Sequence, residues 1–497
     1  MPAADAKAGT TSRLQGKGGR IMTGAQEHGS RAYAVTISLA AALGGLLYGY
    51  DTAVISGAIG FLKTLYGLSP FMQGLVISSI MIGGVIGVAI SGFLSDRIGR
   101  RKVLMTAAVL FAIAALVSAV SHDVTTLILA RIVGGLGIGM GSALSVTYIS
   151  ECAPTQIRGA LSSLYQLLTI IGIFLTYLTN FLIQRSGNLA WDVHTGWRWM
   201  LGLGAVPAAI FFFVLLFAPE SPRWLTKAGR SDEAFSILAR INGHSVAQRE
   251  LESIRQSLES ESAASVRDLL KPGWRKALAV GILLALFNQI IGMNAVTYYG
   301  PEIFRMVGFS LNSDFEIQAF FGAMWVVFTV VAVVLIDRVG RKPLMIVGSA
   351  LMAIFMALMG LTFYLHVHNG FWLVLFIMGF TAAFSVSMGP IPWIMIPEIF
   401  PNHLRARAAG IATIFLWGAN WAIGQFTPVL LNNVGGSYTF WMFAVINVLG
   451  VIFVSVLVPE TKNRSLEDIE RIWMGGSGET AAAAEARSAT RQHKFLP

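Results

Sequence analysis

Asp96-Arg97-Ile98-Gly99-Arg100-Arg101 recurs as Asp337-Arg338-Val339-Gly340-Arg341-Lys342, 241 positions further along the chain. Each copy is a short charged turn between two long apolar runs, with a glycine where the backbone must fold back sharply. Working outward, two more pairs keep nearly the same offset. Pro219-Glu220-Ser221 returns as Pro459-Glu460-Thr461 after 240 positions, and Glu151-x-x-Pro154-x-x-x-Arg158 returns as Glu398-x-x-Pro401-x-x-x-Arg405 after 247. Three matches in one order at one offset imply a duplicated unit.

Each unit holds six runs of about 20 mostly apolar residues, the length a helix needs to cross a bilayer. The first six lie near 33–60, 71–95, 103–120, 124–150, 159–184 and 197–218. The second six lie near 277–304, 317–337, 343–365, 371–398, 408–432 and 438–458. The sequence therefore predicts an all-α membrane protein of twelve transmembrane helices in two six-helix bundles, 33–218 and 276–458. A polar linker, 219–275, carries amphipathic patches at Glu233 to Ile241 and Arg249 to Leu258, with Ser231 as an expected N-cap. The tail at 1–32, rich in Gly, Ala, Ser and Thr, reads as disordered, and 459–497 reads as a C-terminal tail that is Ala-rich, polar and loose over 475–497.

Composition supports this and excludes most other classes. Of the 497 residues 55% are hydrophobic and 12% charged, with a mean hydropathy of +0.66; soluble proteins carry roughly 25% charged residues. The body is too apolar for disorder, and its runs are too long and continuous for a membrane β-barrel. The single Cys152 excludes an intrachain disulfide and a cysteine-rich metal site. The net charge of +10 could suggest nucleic acid, but 31 of the 36 Lys and Arg fall on one side of the predicted topology. That bias marks the cytoplasmic side, so both termini and the linker are expected there, in an inner or plasma membrane, and no nucleic-acid partner is implied.

Repeated halves around a midplane site are the plan of many secondary transporters. Asp96, Arg97, Arg100, Glu151 and Arg158, with their repeats Asp337, Arg338, Arg341, Glu398 and Arg405, read as a cytoplasmic gate. Such groups can pair across the interface between the halves and part when that side opens; the alternative is that they only set topology. The seventh run gathers Asn288, Gln289, Asn294, Tyr298 and Tyr299 within twelve residues. Buried amides need partners, which can be a ligand or another helix. A regular helix would not aim Gln289 and Asn294 at one point, but Gly292 and Gly300-Pro301 can loosen the turn and bring them nearer. In the tenth run Gly389, Pro390, Pro392 and Pro397 break the helix around Trp393. Asp51 lies inside the first run and Arg131 inside the fourth. A carboxylate in a span is costly and usually functional. Ionised Asp51 would pair with Arg131 and protonated Asp51 would release it; the alternative is a static pair that orders the bundle. The His residues show no metal spacing and there is no Walker phosphate loop, so neither an enzyme nor a bound cofactor is expected.

These motifs resemble the sugar porter branch of the major facilitator superfamily. The matches are Gly92-x-x-x-Asp96-Arg97-x-Gly99-Arg100-Arg101, Pro219-Glu220-Ser221-Pro222-Arg223-Trp224-Leu225, Gln289-x-x-Gly292-x-Asn294-x-x-x-Tyr298-Tyr299, Gly389-Pro390-x-x-Trp393 and Pro459-Glu460-Thr461-Lys462. The resemblance implies two six-helix bundles joined by a cytoplasmic helical domain, a site for a neutral monosaccharide or polyol between them, and usually a monomer. It carries sugar contact onto Gln166, Gln289, Asn294 and Trp393, with Asn288, Tyr298, Trp417 and Asn420 as further candidates. It favours proton symport, because Asp51 matches a position acidic in symporters. A uniporter is the alternative; a sugar sensor and an exporter are more remote. The chain departs from the family pattern at Asn288, Trp325 and Leu416, so no one member's sugar is carried over.

Overall fold

The computed structural model describes residues 29–154, 156–261, 266–271, 273–367, 370–400, 402–462, 469, 472 and 473. Of the expected tail at 1–32, residues 1–28 lie outside the described residues, while Ser30 caps the first helix and Arg31 and Ala32 already belong to it. Most of the final tail also lies outside the described residues. Among the described residues there are twelve helices long and apolar enough to cross a membrane. Spans 1 to 6 are Arg31–Tyr66, Pro70–Ile98, Arg100–Val120, Val124–Cys152, Arg158–Ser186 and Leu189–Phe217. Spans 7 to 12 are Trp274–Met306, Ser313–Ala332, Arg341–Tyr364, Gly370–Ile396, Arg407–Asn433 and Gly436–Leu457. Helices Pro222–Lys227, Ser231–Asn242 and His244–Glu261 and a tight turn at Val266–Leu270 lie between the sets. Ser231 opens its helix as the first residue, with Arg230 in the capping position.

Several boundaries differ from the sequence reading for local reasons. Span 1 runs on to Tyr66 and stops where Gly67 takes a left-handed conformation. Span 6 starts at Leu189, because the polar stretch Asp192–Gly196 is absorbed as one wide helical turn rather than a loop. Span 7 is two helices, Trp274–Ile290 and Met293–Met306, divided at Gly292. Gly292 has φ +105°, and a Cβ there would lie 2.6 Å from the Met356 methyl. Span 10 is likewise divided, into Gly370–Val386 and Ile391–Glu398.

The halves pack span 2 on span 11, span 5 on span 8 and span 1 on span 7. At the end away from the linker helices, hydrogen bonds cross from half to half. Gln73 donates to Glu302 at 2.6 Å, and Lys63 lies 3.6 Å from the same carboxylate. Ser78 donates to Gln425 at 2.9 Å, Gln425 donates to the Phe71 carbonyl at 2.9 Å, and Gln318 donates to Ser56 at 3.0 Å. The Phe61 and Phe315 rings stack with centroids 6.1 Å apart.

The linker end is built differently: in this structure the charges expected at a cross-half gate pair within their own halves. Arg100 bonds Asp96 at 3.0 Å and Glu151 at 3.2 Å, all in the first half. Glu151 accepts from Ser221, and Glu220 accepts from the Arg101 amide at 3.1 Å. Lys227 bonds Asp96 at 2.8 Å. The second half repeats the scheme within itself. Arg341 lies 3.7 Å from Glu398, Thr461 donates to Glu398 at 2.7 Å, and Glu460 receives the Lys342 amide at 3.0 Å. Each motif turn sits next to the end of its own bundle, so the nearest opposite charge belongs to the same half. Arg158 and Arg405 each reach a carbonyl five residues back, Ala153 at 3.4 Å and Phe400 at 3.5 Å. Arg97 lies over its neighbour Phe93 and Arg338 is exposed. The Asp337 side chain lies outside the described residues.

Candidate functional site

The break at Gly292 turns the second helix of span 7 so that Asn294 meets Gln289. Asn294 donates to the Gln289 side chain at 2.6 Å. Gln289 donates to Asn288, and Asn288 donates to the carbonyls of Met388 and, at 3.2 Å, Gly389. These carbonyls are exposed by the break in span 10, since helical carbonyls near a break lose their intrahelical donor. A continuous line of amides thus joins the two broken spans. Such a line is well suited to a polyhydroxy ligand, because amides supply both donors and acceptors. Further along span 7, Tyr298 donates to Asn420 at 2.8 Å and Tyr299 donates to the Gly424 carbonyl at 2.6 Å, tying span 7 to span 11.

Asp51 and Arg131 meet inside the first half, with Oδ2 and Nη2 4.0 Å apart. Both are buried, at 7% and 4% exposure. A cavity beside them is lined by Tyr48, Asp51, Thr52 and Arg131 of the first half and by Tyr298, Trp417 and Asn420 of the second. Trp417 meets the edge of Tyr48 across the halves, with centroids 5.7 Å apart. Sequence reasoning did not single out Tyr48; its position one turn before Asp51 on the same helix was the available signal.

The remaining candidates are more scattered. Gln166 is half-buried on span 5. Trp393 is 42% exposed on the second piece of span 10. Trp325 is buried between Phe321 and Phe384, with centroids 5.6 and 6.1 Å away, and Leu416 is buried beside Trp417 in sequence.

A sequence model described as "Sugar (and other) transporter" matches residues 37–473. The chain belongs to the sugar transporter family. Among its relatives in that family, the arabinose-proton symporter of Bacillus subtilis is 67% identical over 445 residues, 90% of this chain and 96% of that protein. The D-xylose-proton symporter of Escherichia coli is 36% identical over 474 residues, 89% of this chain and 96% of that one. The solved structure of the E. coli xylose transporter XylE in a partially occluded inward-open conformation superposes with a TM-score of 0.79 at 36% identity. It covers 87% of this chain and 100% of that one. The match to the major facilitator fold therefore agrees with the internal repeat.

The sequence reading missed the bonds that cross the halves away from the linker helices. Tyr177 of span 5 donates to the Thr297 carbonyl of span 7 at 3.2 Å, between Asn294 and Tyr298. Glu302 follows Pro301 in the same helix. A carboxylate within a span was the signal that could have flagged it.

Proposed function

We propose that this chain is a sugar–proton symporter that imports a neutral monosaccharide by alternating access, as a monomer, with both termini and the linker helices in the cytoplasm. The observation that carries the reading is the buried Asp51–Arg131 pair facing the same cavity as Tyr298, Trp417 and Asn420. A group that can exchange a proton then borders both the first half and the helices that hold the amide line.

In this mechanism Asp51 takes a proton from the outer side and loosens its hold on Arg131. Sugar hydroxyls bond Gln289, Asn294 and Gln166, with Asn288 and Asn420 holding the surrounding network and Trp393 or Trp417 offering an aromatic face. The first half then rocks against the second, the outer end closes and the linker end opens. Sugar leaves to the cytoplasm, and Asp51 loses its proton and pairs again with Arg131. The bonds that cross the halves away from the linker support reading the structure as the inward-facing state. Asp51 with a fixed arginine partner favours symport over a uniporter, in which that pair would be only structural. The Bacillus subtilis relative is named for arabinose, so arabinose is the first sugar to try. The bulk at Trp325 and Leu416 argues for testing hexoses and inositol beside it.

The test is uptake of labelled sugar into proteoliposomes, with and without an inward proton gradient. The native chain accumulates sugar above equilibrium under the gradient; Asp51→Asn loses accumulation and keeps sugar exchange. Equilibration alone, indifferent to gradient and substitution, would make the protein a uniporter.

A further inference from the structure

Asp51 and Arg131 border a second cavity, and this one belongs to the first half alone. Its walls are Tyr50, Asp51 and Val54 of span 1, Ile80 of span 2, Phe111, Ala114, Ala115 and Ser118 of span 3, Arg131 and Gly134 of span 4, and Leu201 and Gly204 of span 6. The part open to a water's centre exceeds the roughly 10–15 Å³ that one water requires. The cavity runs from the ion pair toward the end away from the linker. There Ser118 is followed in the chain by Ala119 and Ser121, whose carbonyls accept from the Arg198 guanidinium at 2.8 and 2.6 Å.

The polar groups on this wall are under-bonded by protein. Asp51 and Arg131 stand 4.0 Å apart, beyond hydrogen-bond distance. Arg131 Nη2 reaches only the Ile77 carbonyl, at 3.5 Å, and its Nε, fully buried, has no acceptor among the described residues. An ion pair removed from water is stable only when its remaining donors and acceptors are satisfied. A separation of this size between two buried charges is the distance a bridging water spans.

We propose that this cavity is a water-binding chamber that serves as the proton's waiting place beside Asp51, separate from the sugar's path. It rests on the symport reading above. The titratable groups facing Asp51 are Arg131 of span 4, Tyr48 and Tyr50 of its own span and Tyr298 of span 7. Of these, Tyr48 and Tyr298 line the cavity between the halves, and Tyr50 lines the chamber. Because every wall of the chamber is in one half, rocking leaves it intact while the other cavity opens and closes. Chamber water keeps the ionised pair solvated when the sugar cavity is occluded. A proton passes from hydronium to the Asp51 carboxylate, one O–H bond breaking as another forms; Arg131 stays protonated throughout.

The experiment fills the chamber. Ala115→Leu places three extra carbons into it from span 3, away from the sugar cavity, and Ser118→Val replaces the hydroxyl by a methyl and adds one further methyl. Each is reconstituted and assayed for gradient-driven arabinose accumulation, for arabinose exchange at equal pH, and for sugar-induced alkalinisation of the medium with a pH dye. The expected result is loss of accumulation and of alkalinisation in Ala115→Leu with exchange retained, and a weaker loss of the same kind in Ser118→Val. Native accumulation and alkalinisation in both variants would overturn the proposal. So would equal loss of exchange and accumulation in Ser118→Val, which would make the wall a packing element. If the native chain itself shows no alkalinisation, the symport reading fails instead, and the two failures are distinguishable.

Discussion

The two ends of this transporter are held by opposite strategies. Away from the linker helices, the bonds run between the halves: Gln73 and Lys63 to Glu302, Ser78 to Gln425 and Gln318 to Ser56. At the linker end the strong contacts stay within each half: Arg100 with Asp96 and Glu151 in one, and Arg341 with Glu398 in the other. The difference separates two quantities that are often treated together. Bonds between halves set the balance between conformations. Bonds within a half set the stability of a body that moves as a unit. A change at one end should therefore move populations, and a change at the other should move the melting temperature.

The largest effect is expected where the halves touch by backbone. A Cβ at Gly74 would lie 2.1 Å from the Gln425 carbonyl oxygen, a group on a helix that cannot yield cheaply. Gly74→Val should keep the end away from the linker from closing and reduce sugar transport to background. Hydrogen exchange at the outer ends of spans 2 and 11 should rise while protection in span 3 is unchanged. Normal transport in this variant would mean that the close approach is not needed for closure.

Next comes the linker end. The Arg100 and Glu151 side chains are only 10% and 9% exposed. Removing one partner of a buried pair costs about 3–5 kcal/mol. Arg100→Ala should lower the thermal unfolding midpoint in detergent and reduce transport in proportion to the loss of folded protein. If the midpoint holds while hydrogen exchange at the outer end changes, the network acts between the halves after all.

Glu302→Ala should do the reverse. A hydrogen bond to a charged group contributes about 1.5–3 kcal/mol, so the balance should move toward the outward-open form by about 10- to 100-fold. The unfolding midpoint should change little. Exchange at the outer end of span 7 reads this directly.

The sequence revealed the fold more fully than the contacts. Twelve spans, the linker and the breaks at Gly292 and Pro390 followed from apolar length, repeated turns and the conformational limits of glycine and proline. The approach of Asn294 to Gln289 was legible because a glycine break makes an otherwise impossible geometry available; the bonds of Asn288 to Gln289 and to span 10 were not. The partners of the repeated charges were not legible, since a repeat shows which residues return and not which neighbour each one chooses. The far-end contacts carried no motif: Gln73, Ser78 and Gln318 are ordinary polar residues until tertiary packing places them opposite one another. The sequence reading starts span 6 late because Asp192 to Thr195 reads as a loop in hydropathy, although the helix runs through it with Asp192 buried.

The smallest expected effect compares the two copies of one motif. Glu220 receives the amides of Arg101 at 3.1 Å and Ser221 at 2.9 Å. Glu460 receives four: Arg341 at 3.3 Å, Lys342 at 3.0 Å, and Thr461 and Lys462 at 2.9 Å each. Desolvation pushes the Glu460 carboxyl up, but the amides of Lys462, Lys342, Arg341 and Thr461 together outweigh it and hold the group below its ordinary value of 4.5. A carboxyl depressed on folding stabilises the folded form above its unfolded pKa, and that contribution is lost as pH falls through the folded value. The second half should therefore lose stability only in acid below about 4.5, and the partial exposure of Glu460 keeps the loss small. Glu460→Gln should be less stable than the native chain at neutral pH, and the gap between them should narrow as the pH is lowered. Unfolding midpoints measured across that range decide it: a gap that stays constant would mean that the four amides recognise the shape of the side chain and not its charge.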